Sequence, residues 1–309
     1  MRAELHGSSE SLAAFGKIHF FVCLLTMPID AKRSRRTFRN LSRELMGLEK
    51  KFAPENVHKF RTNSRRVEAL LLELVDKPDR NQEKLLKLLA RLRKKAGRVR
   101  DLDVQVSCLR NLKIPQANGH KAHLLETLVQ ERGKREKKLA KAFDHATAAE
   151  VRKRLKRVSS KIHIPGNAEP LALTVKRLAQ LGRGQEPVTE KTLHQYRIVG
   201  KRARYIAELA VDGPETARLI KDLKKMQDVV GDWHDWLKLT QRAEALLGDS
   251  QDSALVAMLR NVTQAKFRQS LDAVAELRTA LAGHNLGTRP SDSPQKRAAS
   301  EVARAVAAA

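Results

Sequence analysis

The sequence has little of several things that would otherwise define its class. Its 309 residues include two cysteines, Cys23 and Cys108. That excludes a disulfide framework and a zinc site built from four thiolates. Fifteen glycines and ten prolines are too few for a fold made of tight turns. The aromatics are 8 Phe, 2 Trp and 2 Tyr. A surface that stacks single-stranded bases needs rings on its charged face, and few are to spare here. No apolar run reaches the roughly 20 residues of a membrane-spanning helix. The longest one lies between Ile18 and Ile29, with Lys17 at its edge. Its flank, Pro28-Ile29-Asp30-Ala31-Lys32, lacks the small-x-small pattern of a signal cleavage site. Residues 1–29 therefore read as a poorly ordered N-terminal extension, with a short interfacial helix as the other reading.

What the chain has is charge of one sign. Lys and Arg number 61 against 35 Asp and Glu, a formal charge of +26. Such a field attracts polyanions from a distance. Hydrophobic residues make up 41%, too many for a wholly disordered basic tail. These features describe a folded, cytosolic protein with a polyanionic partner.

From about residue 30 the apolar period is helical almost throughout, which predicts an all-α fold. Stops fall at Lys77-Pro78, Ile114-Pro115, Pro165-Gly166-Asn167 and Asp212-Gly213-Pro214. Helices are expected over 54–76, 80–110, 121–143, 147–160, 170–181, 189–211, 215–247 and 253–281, after a first one that begins near residue 30. Residues 285–309, rich in Ala, Ser and Pro, read as a disordered tail.

The chain also repeats itself. His58-x-x-Arg61-x-x-x-Arg65-Arg66 matches His194-x-x-Arg197-x-x-x-Lys201-Arg202, 136 residues on. Gly97-Arg98-Val99-Arg100-Asp101 matches Gly231-Asp232-Trp233-His234-Asp235, 134 residues on. Two motifs at nearly one offset imply two related halves of roughly 130 residues, about 30–163 and 168–284, paired about a pseudo-two-fold axis.

Helix geometry then sorts these residues. At about 100° per residue, Arg61 falls about 60° and Arg65 about 20° from His58. Arg197 and Lys201 repeat those angles from His194. Arg204 and Tyr205 extend the second stripe, and Phe60, Val67, Leu71 and Leu74 lie on the opposite side of the first. Each helix thus buries one face and presents a cationic rail on the other. A solvated basic face usually mixes signs at i, i+4. The second rail carries no acid between His194 and Tyr205. Arginine offers a planar fork of donors matched to phosphate oxygens.

Neither histidine has a second His, Cys or carboxylate at i+3 or i+4, so no one-helix metal site is expected. A histidine among arginines should have a lowered pKa. Asp101, Asp103, Asp228 and Asp235 stand close to basic residues, and their expected role is to orient arginines. The sequence contains no Gly-x-x-x-x-Gly-Lys loop, no Gly-x-Ser-x-Gly elbow and no His-Glu-x-x-His motif. A non-enzymatic protein without a cofactor is expected.

Four motifs in this order resemble the CHAD family, the conserved histidine α-helical domain, over roughly residues 30–284. They are His58-x-x-Arg61-x-x-x-Arg65-Arg66, Arg100-Asp101-Leu102-Asp103-Val104, His194-x-x-Arg197-x-x-x-Lys201-Arg202-x-Arg204-Tyr205 and Gln227-Asp228-x-x-Gly231-x-x-x-Asp235. The resemblance implies two four-helix bundles about a pseudo-two-fold axis, with a basic central cavity or pore. It implies binding of inorganic polyphosphate and association with polyphosphate granules in the cytoplasm. The anion-contacting residues it implies are His58, Arg61, Arg65, Arg66, His194, Arg197, Lys201, Arg202, Arg204 and Tyr205. Arg98, Arg100, Lys224 and Lys225 join them by position. Arg36, Arg39 and Arg43, spaced along one helix face, are expected to line the same cavity. One position departs from the pattern: Glu68 stands where the first motif should carry the cation matching Arg204, so either the first half grips phosphate less strongly or Glu68 pairs with a neighbouring arginine.

Polyphosphate carries charge without bases, which suits +26 with few aromatics. Two other readings stay open. The run Arg152-Lys153-Arg154-Leu155-Lys156-Arg157 suits non-specific nucleic-acid binding. The aspartates would suit a Mg²⁺-dependent polyphosphate hydrolase.

Overall fold

The computed structural model describes residues 28–114, 119–165, 167–182, 188–248 and 253–286. The proposed extension up to residue 27 and the tail beyond residue 286 lie outside the described residues. Nine α-helices run among the described residues: α1 Ala31–Lys50, α2 Pro54–Glu73, α3 Arg80–Asn111, α4 His120–Ala142, α5 His145–Lys161, α6 Pro170–Gly182, α7 Glu190–Ala207, α8 Pro214–Leu247 and α9 Ala254–Leu286. The fold is all-α, as the periodicity predicts. Among the described residues no helix is long and apolar enough to cross a membrane.

Local chemistry sets the helix starts. Asp30 caps α1 by accepting from the Lys32 and Arg33 amides at 2.7 and 3.2 Å. Pro54 and Pro214 occupy the first turns of α2 and α8, where the missing N–H costs nothing. Asp79 and Gln82 close a reciprocal capping box on α3. Gly119 enters α4 at φ +73°, a conformation open to a residue without Cβ.

Two helices end earlier than their periodicity predicts. α2 stops at Glu73, and α7 stops at Ala207. Tertiary pairing ends α7: the Asp30 amide donates to Leu209 O at 2.9 Å, and Val211 donates to Pro28 O at 3.0 Å. An isolated antiparallel bridge joins Ile29 to Ala210. Pro28 and Ile29 are thereby held against the end of α7, so the boundary drawn after residue 29 falls within this pairing.

Three apolar clusters fill the interior. The first gathers α1, α2, α3 and α5 around Leu45, Phe60, Leu70 and Leu89, and takes in Tyr205, Ile206 and Leu209 from α7 and its end. The second gathers α6–α9 around Tyr196, Leu223 and Trp233. The third joins Leu102, Leu109, Leu124 and Leu128 of α3 and α4 to Leu239, Ala243 and Leu259 of α8 and α9. Five helices thus precede the Pro165–Asn167 stop and four follow it, and both sets share the third cluster. The two rail helices, α2 and α7, pack against each other. Burial of their apolar sides leaves the cationic sides at the seam between the halves.

Candidate functional site

The seam between α2 and α7 brings the two rails together, flanked by α3 and α8. Arg61 on α2 lies across α3. Its Nη1 donates to Gly97 O at 3.0 Å and stands 3.2 Å from Asp101 Oδ1. A Cβ on Gly97 would lie 3.6 Å from the Arg61 Cζ, an ordinary contact distance, so the carbonyl of Gly97 and not its bare Cα holds the guanidinium. The second half repeats the pair more loosely, with Arg197 Nη2 at 3.8 Å from Asp235 Oδ1. The Arg197 Nε is buried and has no hydrogen-bond partner.

Beside this pair of arginines is a cavity of about 250 Å³. Arg65, Arg93, Arg197, Lys201 and Arg202 line it, with Tyr205 and a single acid, Glu68. Glu68 Oε1 accepts from Arg93 Nη2 at 2.5 Å. Arg202 is 3.3 Å from Glu73. Among the described residues, Arg65 and Lys201 form no ion pair. Burial, then the Arg197 and Arg65 charges, push the Lys201 ammonium down to about 7. Burial is also the first cause that lowers Arg65 and Arg197 from the ordinary arginine value. Cations held together away from water, without enough carboxylates, are costly until an anion joins them.

The remaining rail cations turn to the other side of Tyr205. Arg66 and Arg204 both stand over its ring, with Cζ atoms 5.6 and 5.3 Å from the centroid. Both arginines share Glu208: Arg66 Nε donates to Oε2 at 2.8 Å, and Arg204 Nε is 3.4 Å from Oε1. A second cavity, of about 210 Å³, is lined there by Arg33, Arg36, Arg66, Tyr205 and Glu208 among others. Tyr205 is the ring common to both cavities.

Both motif histidines sit beside the seam with lowered pKa values. Both are exposed residues that line neither cavity; partial desolvation of the ring is the first cause for each, ahead of the cations the sequence pointed to. His58 feels Arg100, Arg61, Lys201 and Arg66. His194 stacks on His234, with centroids 5.7 Å apart and planes at 27°. His234 occupies the repeat position of Arg100, so each half places a different second base beside its histidine.

Other expected residues are placed elsewhere. Arg36 lines the second cavity, and Arg39 is exposed. Arg43 is exposed and donates to Asn40 Oδ1 at 2.6 Å. Arg98 and Lys224 are exposed on α3 and α8, and Lys225 pairs with Glu276. Asp103 is buried and orients Arg132 at 2.8 Å, and Arg132 in turn reaches Phe52 O at 2.9 Å. Asp101 and Asp235 meet arginines, while Asp228 is exposed. Among the described residues, no cluster of three or more His, Cys, Asp and Glu forms a metal-binding group.

Three contributors escape the motif reading: Arg93, His234 and Glu73. The repeat offset is the signal that finds the first two, since they occupy the positions matched to Gln227 and Arg100. Glu73 carries no such signal, because its partners, Arg177 and Arg202, lie more than a hundred residues away.

A family model described as the CHAD domain matches residues 33–244. Among solved structures, the crystal structure of the CHAD domain from the plant Ricinus communis is similar, with a TM-score of 0.60. Sequence identity is 16%, and the match covers 83% of this chain and 93% of that chain. The likeness bears on the fold. No curated protein matches the chain.

Proposed function

The chain belongs to the CHAD domain family, and from that premise we propose that it binds inorganic polyphosphate along the facing rails of α2 and α7. The observation that carries this reading is the cavity with five cationic side chains and a single lining acid, in which Arg65 and Lys201 have no ion-pair partner among the described residues. Phosphate oxygens supply the acceptors and the charge that this arrangement lacks. One aromatic ring lines the cavity, so the site offers donors and little for a base to stack on. Binding is non-catalytic and draws the protein to polyphosphate granules. Released counterions make the affinity fall steeply with salt and rise with chain length.

A second reading rests on α5, where Lys153, Lys156 and Arg157 are exposed. These cations suit non-specific nucleic-acid binding outside the cavity. Competition between polyphosphate and duplex DNA at equal phosphate concentration separates the two. Preference for polyphosphate, lost in the double variant Arg61→Ala/Arg197→Ala while the thermal midpoint is kept, supports the rails. A preference for DNA, or a double variant that binds long polyphosphate as wild type does at physiological salt, overturns them. Phosphate release during incubation with Mg²⁺ would refute the non-catalytic reading.

A further inference from the structure

Two of the matched positions at which the halves differ are coupled, and that coupled difference explains how the first half keeps its charge. With the offsets of the repeat, Glu68 matches Arg204 on the rail helices, and Arg93 matches Gln227 on the helices behind them. In the second half the cation is on the rail. Arg204 pairs with Glu208, and Gln227 Nε2 donates to Gly200 O at 2.5 Å behind it. In the first half the acid is on the rail and the cation is behind it.

Arg93 does not simply neutralise Glu68. The two residues meet at 2.5 Å through Arg93 Nη2 alone. The Arg93 side chain is only 16% exposed, and its Nη1 is buried with no hydrogen-bond partner. Arg93 lines the cavity together with Arg65, Arg197 and Lys201, and its charge is one of those that lower Arg65. Arg93, Gly97 and Asp101 follow at i, i+4 and i+8 on α3, so they share the face turned to α2. On that face Gly97 and Asp101 seat Arg61, and one turn away Arg93 is fixed by Glu68 with a donor left over.

We infer that Arg93 is a ligand-contacting cation of the cavity, and that Glu68 is the residue that positions it, a charge exchange between α2 and α3 that replaces the missing rail arginine. The inference rests on the polyphosphate reading above and names a further contact for that same ligand.

The test is the affinity for long-chain polyphosphate, with thermal unfolding run in parallel. Arg93→Gln is expected to bind about tenfold more weakly, the loss of one charge-assisted hydrogen bond. The neutral pair Glu68→Gln/Arg93→Gln leaves neither member charged and unpaired, so it guards against a folding defect; the same about tenfold loss is expected. The exchange Glu68→Arg/Arg93→Gln copies the second half and should return binding to within about threefold of wild type, as coupled neighbours compensate. Wild-type affinity in the neutral pair, with Arg61→Ala/Arg197→Ala weakened, overturns this inference and leaves the polyphosphate reading standing. An exchange variant as weak as Arg93→Gln also overturns it. A wild-type protein that does not bind polyphosphate overturns both.

Discussion

The carboxylate of Glu73, at the C-terminal end of α2, stands 2.6 Å from the guanidinium of Arg177 on α6. Arg202 of α7 approaches the same carboxylate at 3.3 Å. The Glu73 side chain is 3% exposed, while both arginine side chains keep 41–44% of their surface. One buried acid of the first half therefore clamps two helices of the second. Removing one partner of a fully buried pair costs several kcal/mol, but exposed guanidinium groups recover hydration. Glu73→Gln should therefore lower stability by about 1–2 kcal/mol. Denaturant unfolding checks this, and a change below about 0.5 kcal/mol, the range of ordinary surface substitutions, would show the clamp contributes nothing.

Lys201 makes binding and folding depend on pH. Its ammonium titrates near 7, against 10.5 for an ordinary lysine. Burial comes first, then Arg197 and Arg65 oppose its charge, Asp235 favours it and Arg61 opposes it. Between those values the unfolded chain holds a proton that the folded chain has lost. Stability contributed by this group therefore rises with pH from about 7 to about 10.5, and its penalty is fully present below 7. An anion in the cavity favours the charged amine, so binding at pH 8 should take up about one proton, and affinity should fall as pH rises from 7 to 9. His58 and His194, both lowered, add charge only at more acidic pH. Lys201→Arg keeps its charge throughout and should abolish the uptake. Calorimetry in buffers of different ionisation enthalpy measures it, and equal uptake by the two proteins would refute the assignment.

The motif glycines predict opposite responses. A Cβ on Gly200 would come within 2.6 Å of Met226 Cε, whereas one on Gly231 meets nothing within 4 Å. Gly231→Ala should stabilise α8 by about 0.5–1 kcal/mol, the ordinary gain within a helix. Gly200→Ala pushes only the flexible end of a methionine, but Gly200→Val crowds the packing of α7 on α8 and should cost about 2 kcal/mol. Unfolding midpoints of the three variants check the order. A destabilising Gly231→Ala would mean that the glycine is held by something other than space.

Much of this was legible in the sequence. Helix starts follow local chemistry at Asp30, Pro54, Asp79 and Pro214, and the rails follow from periodicity at His58, Arg61 and Arg65 and their repeats. The placement of Arg36, Arg39 and Arg43 was less so. Their spacing puts them on a helix face, but which cavity that face meets depends on how α1 packs. Glu68 read either as a lost cation or as the partner of a neighbouring arginine, and only the packing of α3 on α2 makes that arginine Arg93.

The sequence alone determined an all-α chain, two repeated cationic faces and a charge suited to a polyanion. Those properties depend on neighbours three or four residues away, and the helical period fixes them. Tertiary structure alone decided that α2 faces α7, that Arg66 stands over the ring of Tyr205, that His194 stacks on His234, and that Arg93 joins Arg65 and Lys201 in one cavity. Each of those contacts joins residues distant along the chain. They exist because packing the apolar sides of α2 and α7 into the clusters brings their cationic sides together at the seam.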